Sequence, residues 1–157
     1  MGICRYRALL SAPLPRVWEF IIDPRNMHHW VALTEPVTGF DRPLQPGDRL
    51  TLWRRDFIRR HSEEQLVEEV VPYRSFRLRA LWPAARRMDV TATVSVEEAA
   101  DPGTTWFEEA ISFSLGNGPV MRRVDRWMVN PVFGVLVRRA SRKVCRRLEE
   151  NFTRERQ

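Results

Sequence analysis

The chain has 157 residues, 43% of them hydrophobic, which is enough apolar material for one core without disulfide or metal staples. Its 26 basic and 20 acidic residues give a formal charge of +6, and they are interleaved, with Glu63 and Glu64 among the acidic ones, as on ordinary solvated faces. This spread argues against specific nucleic-acid binding. Cys4 and Cys145 are too few for a disulfide framework or zinc-ligand grouping. With no secretory or membrane-spanning run, we expect one cytoplasmic domain over residues 1–157.

The first part of the chain predicts one strand followed by two short helices. Residues Ile3 to Ser11 are compatible with a strand, which the following prolines end. An apolar stripe predicts a helix from Pro15, and Asp23 with the next proline breaks it. A second short helix follows, with Asp23 as its cap, Pro24 in its first turn and Trp30 near its end.

Turn residues at strand-length intervals then predict an antiparallel meander. The candidate strands are Glu35–Phe40, Asp48–Phe57, Ser62–Val71, Ser75–Trp82, Met88–Glu98 and Thr104–Leu115. Together with the first strand they make a seven-stranded sheet. Alternation of apolar and polar residues is clear in the last three candidates and fails between Arg54 and Arg60, so the register there stays open.

Alternation also singles out one acidic residue. In the last candidate strand Phe107, Ile111, Phe113 and Leu115 share a face, and the same parity places Glu109 among them. Desolvation raises the pKa of an inward carboxyl group unless a cation pairs with it, so Glu109 is a candidate acid, base or polar anchor. The alternatives are a one-residue bulge that turns Glu109 to solvent, or a buried arginine as its partner.

The C-terminal part of the chain predicts a long amphipathic helix. Beyond Pro131, apolar residues recur at three- and four-residue spacing as far as Phe152, over about six turns. Such a helix needs an apolar partner surface, which the sheet offers. Arginines fill most of the opposite face, which is either solvated or makes a weak contact with an anionic membrane surface.

The segment Ser11 to Trp30, SAPLPRVWEFIIDPRNMHHW, resembles the opening of the START-like (SRPBCC) superfamily, also called the polyketide cyclase/dehydrase and lipid transport family. Pro43 to Asp48 and Val67 to Pro72 resemble the next hairpin and the central strand of that family. The resemblance implies an α+β helix-grip fold, in which a curved antiparallel sheet of seven strands wraps around the long C-terminal helix. It further implies a cavity between sheet and helix for sterols, lipids, polyketides or similar molecules, in binding proteins as well as enzymes.

Aromatic, methionine and aliphatic residues near the expected cavity are the ligand-binding candidates. Together with Glu109 they are Trp82, Phe107, Ile111, Phe113, Met121, Trp127, Met128, Phe133 and Val137. Trp18 and Trp30 look architectural. His61 is a further candidate acid or base, with a lone exposed histidine as the alternative. His28 and His29 should point about 100° apart on a helix, so we expect no metal site and no cofactor.

Three functions remain open. The first is binding, or transport, of a small hydrophobic molecule by a protein that is not an enzyme, with orientation from Glu109 and an inward arginine. The second is an enzyme resembling polyketide aromatase/cyclases, with Glu109 or His61 moving protons. The third is a lipid shuttle at an anionic membrane surface. The sequence does not indicate an oligomeric state.

Overall fold

The structure is a computed structural model that describes residues 2–31, 34–55, 60–81, 89–114, 144 and 146–152. Its centre is a curved antiparallel sheet. The strands are β1 (Gly2–Leu10), β2 (Arg49–Arg55), β3 (Arg60–Val71), β4 (Ser75–Leu81), β5 (Asp89–Glu98) and β6 (Thr105–Ser114). Their order is β1-β6-β5-β4-β3-β2, so the last strand pairs with the first and a meander of hairpins fills the rest.

Two helices follow β1 as the sequence predicts. Helix α1 (Leu14–Ile22) begins after Pro13, and it buries Val17, Trp18, Ile21 and Ile22 on the side that faces the sheet. A 3-10 turn at Pro24–Asn26 is capped by Asp23, whose Oδ1 accepts from the Arg25 amide at 2.9 Å. Helix α2 (Met27–Trp30) completes the segment.

The hairpin turns use the predicted turn residues. In the turn before β2, Asp48 N–H donates to the Gln45 carbonyl at 3.1 Å, and Gly47 takes a φ of 92° that only glycine adopts without strain. The turn between β5 and β6 is built the same way around Gly103, with a φ of 77°. Five of the six meander strands therefore begin and end close to their predicted bounds.

The predicted strand at 35–40 is wrong, and the described sheet has six strands instead of seven. Residues 35–40 are irregular. Their backbone contact with the sheet is at its β2 edge, where the preceding Thr34 forms a bridge with Arg54 and Glu35 N–H donates to the Trp53 carbonyl. Pro36 lacks an amide donor and Gly39 takes a φ of 86°, so a continuous ladder cannot pass through this segment.

One face of the sheet is mainly apolar and carries the core. Inward side chains that are almost fully buried come from every strand, including Leu10, Leu52, Val67, Phe76, Val94 and Phe107. Val144, Leu148 and Phe152, spaced at four residues in the C-terminal helix, join this core. Phe152 packs edge-on against Phe20 of α1 with ring centroids 5.2 Å apart. Sheet, short helices and C-terminal helix together form the helix-grip fold that was predicted.

The outer face of the sheet is polar and its charges are largely paired. Arg7 lies 3.1 Å from Glu97 and stacks over Trp106 at 4.2 Å, and Arg79 lies within 3.4 Å of both Glu68 and Asp89. These exposed ion pairs each contribute little to stability. Within the described ranges, no helix is long and apolar enough to cross a membrane.

Candidate functional site

The inner sheet face carries a buried carboxyl group where β6 meets β1. Glu109 is 7% exposed and pairs across β1 with Tyr6, whose hydroxyl donates to Glu109 Oε2. On the other side of β6 its partner is Val94, which is fully buried. Burial raises the pKa of Glu109 to about 8, since an apolar surrounding disfavours the ionised form. The carboxyl group is therefore mainly protonated at neutral pH.

A chain of aromatic ring contacts begins at Tyr6, the hydrogen-bond partner of Glu109. The Phe107 ring lies 6.1 Å from the Tyr6 ring and 6.3 Å from the Trp30 indole, measured between centroids. Trp30 also meets Phe76 edge-on at 5.8 Å. Trp30, Phe76 and Phe107 have at most 1% of their surface exposed, so this wall is rigid and dry. Trp30 serves the core here, as the sequence predicted.

The prediction that Glu109 points inward is confirmed, and neither alternative holds. The β5–β6 and β1–β6 ladders run through Glu109 without a shift in register, so no bulge turns it to solvent. Among the described residues its hydrogen-bond partner is the Tyr6 phenol, and none of the described arginines is paired with it. A protonated carboxyl group has one proton to donate and lone pairs to accept, so it can hydrogen-bond a neutral ligand group or release its proton as a general acid.

A second polar group lies on the same face where β3 meets β2. Arg54 Nε lies 2.9 Å from Glu63 Oε2, and Gln65 Nε2 donates to Glu63 Oε1 at 2.7 Å. Glu63 and Gln65 are 8% and 6% exposed. The sequence analysis placed Glu63 on a solvated face, which is wrong, because alternation along β3 turns Glu63, Gln65 and Val67 inward together. The inward arginine expected from the sequence is Arg54.

His61 belongs to this second group. It lies opposite Arg54 in the β2–β3 ladder and is half-buried, so the lone exposed histidine considered from the sequence is not what the structure has. Glu109 lies on β6, with β5 and β4 between it and β3. The two acid or base candidates therefore lie in separate parts of the inner face and do not form one catalytic pair.

The remaining predicted site residues divide into two sets. Phe107 and Ile111 lie on the inner face of β6 beside Glu109, Phe107 fully buried and Ile111 half-buried. Phe113 lies on β6, but its side chain is not among those that the structure describes. The remaining candidates lie outside the described residues: Trp82, Met121, Trp127, Met128, Phe133 and Val137. They stay predictions.

The two adjacent histidines differ from their expected geometry. Their rings do not point apart, since the His28 and His29 centroids are 3.8 Å from each other. Each Nδ1 is engaged elsewhere, in His28 by the Arg25 carbonyl at 2.8 Å and in His29 by Asn151 Nδ2 at 3.2 Å. Among the described residues, no three histidine, cysteine or acidic side chains are grouped as metal ligands.

Comparisons with known proteins support the fold over the whole chain. XoxI from Bacillus cereus is 13% identical with a TM-score of 0.69, covering 100% of this chain and 99% of that one. A conserved protein from Geobacillus kaustophilus is 10% identical with a TM-score of 0.67, covering 97% and 95%. The di-domain ARO/CYC BexL from the BE-7585A biosynthetic pathway is 15% identical with a TM-score of 0.70. The match covers 95% of this chain and 47% of BexL, so the chain spans about half of that protein.

Likeness at these identities shows a shared fold and no more. No curated protein matches the sequence significantly. A family model is more informative, because the model described as polyketide cyclase/dehydrase and lipid transport matches residues 4–153, which is almost the whole chain. The chain therefore belongs to the polyketide cyclase/dehydrase and lipid transport family.

Proposed function

We propose that this protein binds a small hydrophobic molecule, such as a lipid, sterol or polyketide, against the inner face of its sheet, with the Glu109 carboxyl group as a polar anchor. The observation that carries the proposal is the buried, protonated carboxyl group among the apolar side chains that β5 and β6 turn inward. Burying a carboxyl group without a cation costs stability, and proteins retain such groups mainly where they serve function.

The surroundings of Glu109 suit a neutral ligand. The half-buried Tyr6 and Ile111 side chains beside Glu109 supply apolar contact, and each square ångström of ligand surface buried there contributes about 25 cal/mol. The fully buried Phe107 ring packs against Tyr6 and keeps this surface rigid. Because the Tyr6 hydroxyl donates to Oε2, Oε1 is the carboxyl oxygen that the described residues leave open to a ligand. A ligand carbonyl or hydroxyl group placed there would be held in one orientation.

An enzyme of the polyketide cyclase type is the second candidate, and the same carboxyl group favours it. A pKa of about 8 keeps Glu109 protonated at neutral pH and close enough to the ambient pH to give up its proton, as a general acid must. BexL, which shares the fold, is described as an ARO/CYC protein. Glu109→Gln separates the two functions once a natural ligand is identified, because an enzyme loses turnover and a carrier changes only in affinity.

The first test is organic-solvent extraction of the purified protein, followed by native and denaturing mass spectrometry for retained molecules. A stoichiometric apolar species supports the proposal. The second test is titration with Nile red, a neutral hydrophobic dye that carries a carbonyl group. In the wild-type protein the dissociation constant should rise about tenfold from pH 8.5 to pH 9.5, because an ionised Glu109 must be protonated again before it can donate.

Two variants make the titration specific. Glu109→Gln keeps a neutral hydrogen-bonding group and should bind Nile red equally at both pH values. Glu108→Gln is the matched control, because Glu108 is the next residue of β6 and points to the outer face, opposite Arg7. The dissociation constant of the Glu108→Gln variant should show the same pH dependence as that of the wild type. Equal pH dependence in all three proteins would show that Glu109 is not the anchor. Absence of both a retained molecule and dye binding would contradict the binding function itself.

A further inference from the structure

Gln65 lies at the centre of the second polar group and has one half of its amide engaged. Its Nε2 donates to Glu63 Oε1 at 2.7 Å, and this fixes the orientation of the amide, because a carboxylate accepts from nitrogen and not from oxygen. Gln65 Oε1 therefore points away from Glu63. Gln65 is 6% exposed, so this oxygen is withdrawn from solvent.

The described protein offers Gln65 Oε1 no hydrogen-bond donor. The residues directly opposite Gln65 are Leu50 on β2 and Ala80 on β4, and neither side chain can donate. A buried acceptor without a partner destabilises the folded protein, and most such groups in folded proteins are satisfied. An acceptor kept in this state on the wall of a binding face indicates that something else supplies the donor.

We propose that Gln65 Oε1 is a second polar subsite of the binding face and accepts a hydrogen bond from a hydroxyl or N–H group of the bound hydrophobic molecule. This inference rests on the proposed function, since it assigns a second contact to the same ligand. It also defines the chemistry of the two ligand ends. The end at Gln65 carries a hydrogen-bond donor, and the end at Glu109 carries a group that can accept a hydrogen bond from a carboxylic acid.

The charges beside Gln65 exclude an acidic group from this end of the ligand. Glu63 is an immediate neighbour, and the guanidinium of Arg54 is already paired with it at 2.9 Å. A ligand carboxylate at Gln65 Oε1 would meet an acceptor where it needs a donor, and a like charge nearby. The end group that fits is a neutral alcohol, phenol or amide, not a free acid.

The separation of the two subsites sets the size of the ligand. Gln65 lies opposite Ala80, and Glu109 lies opposite Val94, which in turn lies opposite Phe76. Along the strand direction, Ala80 is four residues from Phe76 on β4, which corresponds to about 13 Å. Across the sheet, three strand spacings separate β3 from β6, which corresponds to about 14 Å. The subsites are thus at most about 19 Å apart on a flat sheet and closer on a curved one. A long-chain alcohol or a four-ring polycycle spans this distance.

The test compares 1,12-dodecanediol with 1-dodecanol, which has one hydroxyl fewer, as competitors of Nile red. The symmetric diol reaches both subsites in either orientation. For each protein the measured quantity is the affinity of the diol relative to that of the mono-alcohol, so general effects of a substitution cancel. Gln65→Met, which keeps the length and loses the acceptor, should lower this ratio roughly five- to tenfold from the wild-type value.

Two further variants control the result. Glu64→Met is the matched control, because Glu64 is the preceding residue of β3 and is exposed on the outer face, so its ratio should equal that of the wild type. Gln65→Asn retracts the amide and should give the same loss as Gln65→Met even if the latter is poorly folded. An unchanged ratio in both Gln65 variants, with both alcohols still bound, overturns the subsite and leaves the binding function standing. If neither alcohol nor Nile red binds the wild type, the binding function fails and the subsite fails with it.

Discussion

The inner sheet face buries two glutamates, and the protein removes their charge in different ways. Glu109 lies against apolar rings and the Tyr6 hydroxyl, and burial raises its pKa to about 8, so a proton neutralises it. Glu63 lies 2.9 Å from Arg54 and also accepts from Gln65, so a cation neutralises it. Both ends of the face thus avoid a net buried charge, one through a raised pKa at Glu109 and the other through an ion pair.

The largest effect on the free energy of unfolding should come from replacing Glu109. Below pH 4.5 Glu109 is protonated whether the chain is folded or unfolded. As the pH rises from 4.5 to 8 the unfolded chain ionises first, so the wild type loses stability, and the loss is complete above pH 8. The full shift corresponds to about 5 kcal/mol. Glu109→Gln lacks this loss, and its free energy of unfolding should exceed that of the wild type by a margin that grows up to pH 8.

Urea unfolding at half-unit pH intervals from 4.5 to 9 measures this margin. Glu108→Gln, on the solvent side of the same strand, should track the wild type and so accounts for any general effect of losing one acidic residue from β6. A margin that stays constant over the whole range would mean that Glu109 is already ionised in the folded protein near pH 5, and the contrast with Glu63 would disappear.

The next largest effect should come from breaking the ion pair. Arg54→Met leaves the buried Glu63 carboxylate without this cation, although it still accepts from the Gln65 amide, and the loss of one partner of such a partly buried pair costs up to about 3 kcal/mol. Arg79→Met is the control, because the ion pairs of Arg79 with Glu68 and Asp89 are exposed, and it should cost less than about 0.5 kcal/mol. Equal unfolding midpoints in urea for the two variants would show that Arg54 contributes no more than a surface charge.

The sequence predicts most of the fold because local signals and tertiary structure agree there. Alternation in β4, β5 and β6 leaves one mainly apolar face in each strand. Asp23 followed by proline ends the first helix and caps the next turn. The segment at 35–40 fails for the opposite reason. Val37, Thr38 and Phe40 favour a strand, but a strand needs a ladder of amide donors, and Pro36 and the left-handed Gly39 interrupt that ladder.

The two polar sites differ in the same way. Glu109 is predicted because one charged residue interrupts an apolar alternation, which makes its inward position conspicuous. Glu63 and Gln65 are missed because their strand begins in a run of polar residues. In such a run neither alternating set of side chains is apolar, so the sequence does not indicate which set faces inward. Only the β2–β3 register, which sets Leu52 opposite Glu63 and Leu50 opposite Gln65, reveals which face is inward.

The smallest effect should appear on the acidic side of the pH profile. Burial, together with the neighbouring charges of His28 and Arg147, lowers the pKa of His29 below its usual 6.5. Its neutral ring accepts from Asn151 Nδ2 at 3.2 Å and packs beside Phe20, and so helps hold the C-terminal helix against α1. This contribution is fully present above pH 6.5 and is lost as the pH falls through the lowered pKa, which is the opposite direction to Glu109.

His29→Phe keeps an aromatic ring beside Phe20 and removes the titration. Between pH 7 and pH 5 the variant should lack the part of the wild-type stability change that comes from His29, which is about 1 kcal/mol or less because a single partly exposed hydrogen bond is involved. The double variant with Glu109→Gln makes the measurement clean, since it removes the larger change of opposite sign over the same range. If stability still falls toward pH 5 by the same amount in the double variant as in Glu109→Gln alone, the acid-sensitive contact lies elsewhere than at the junction between His29 and the C-terminal helix.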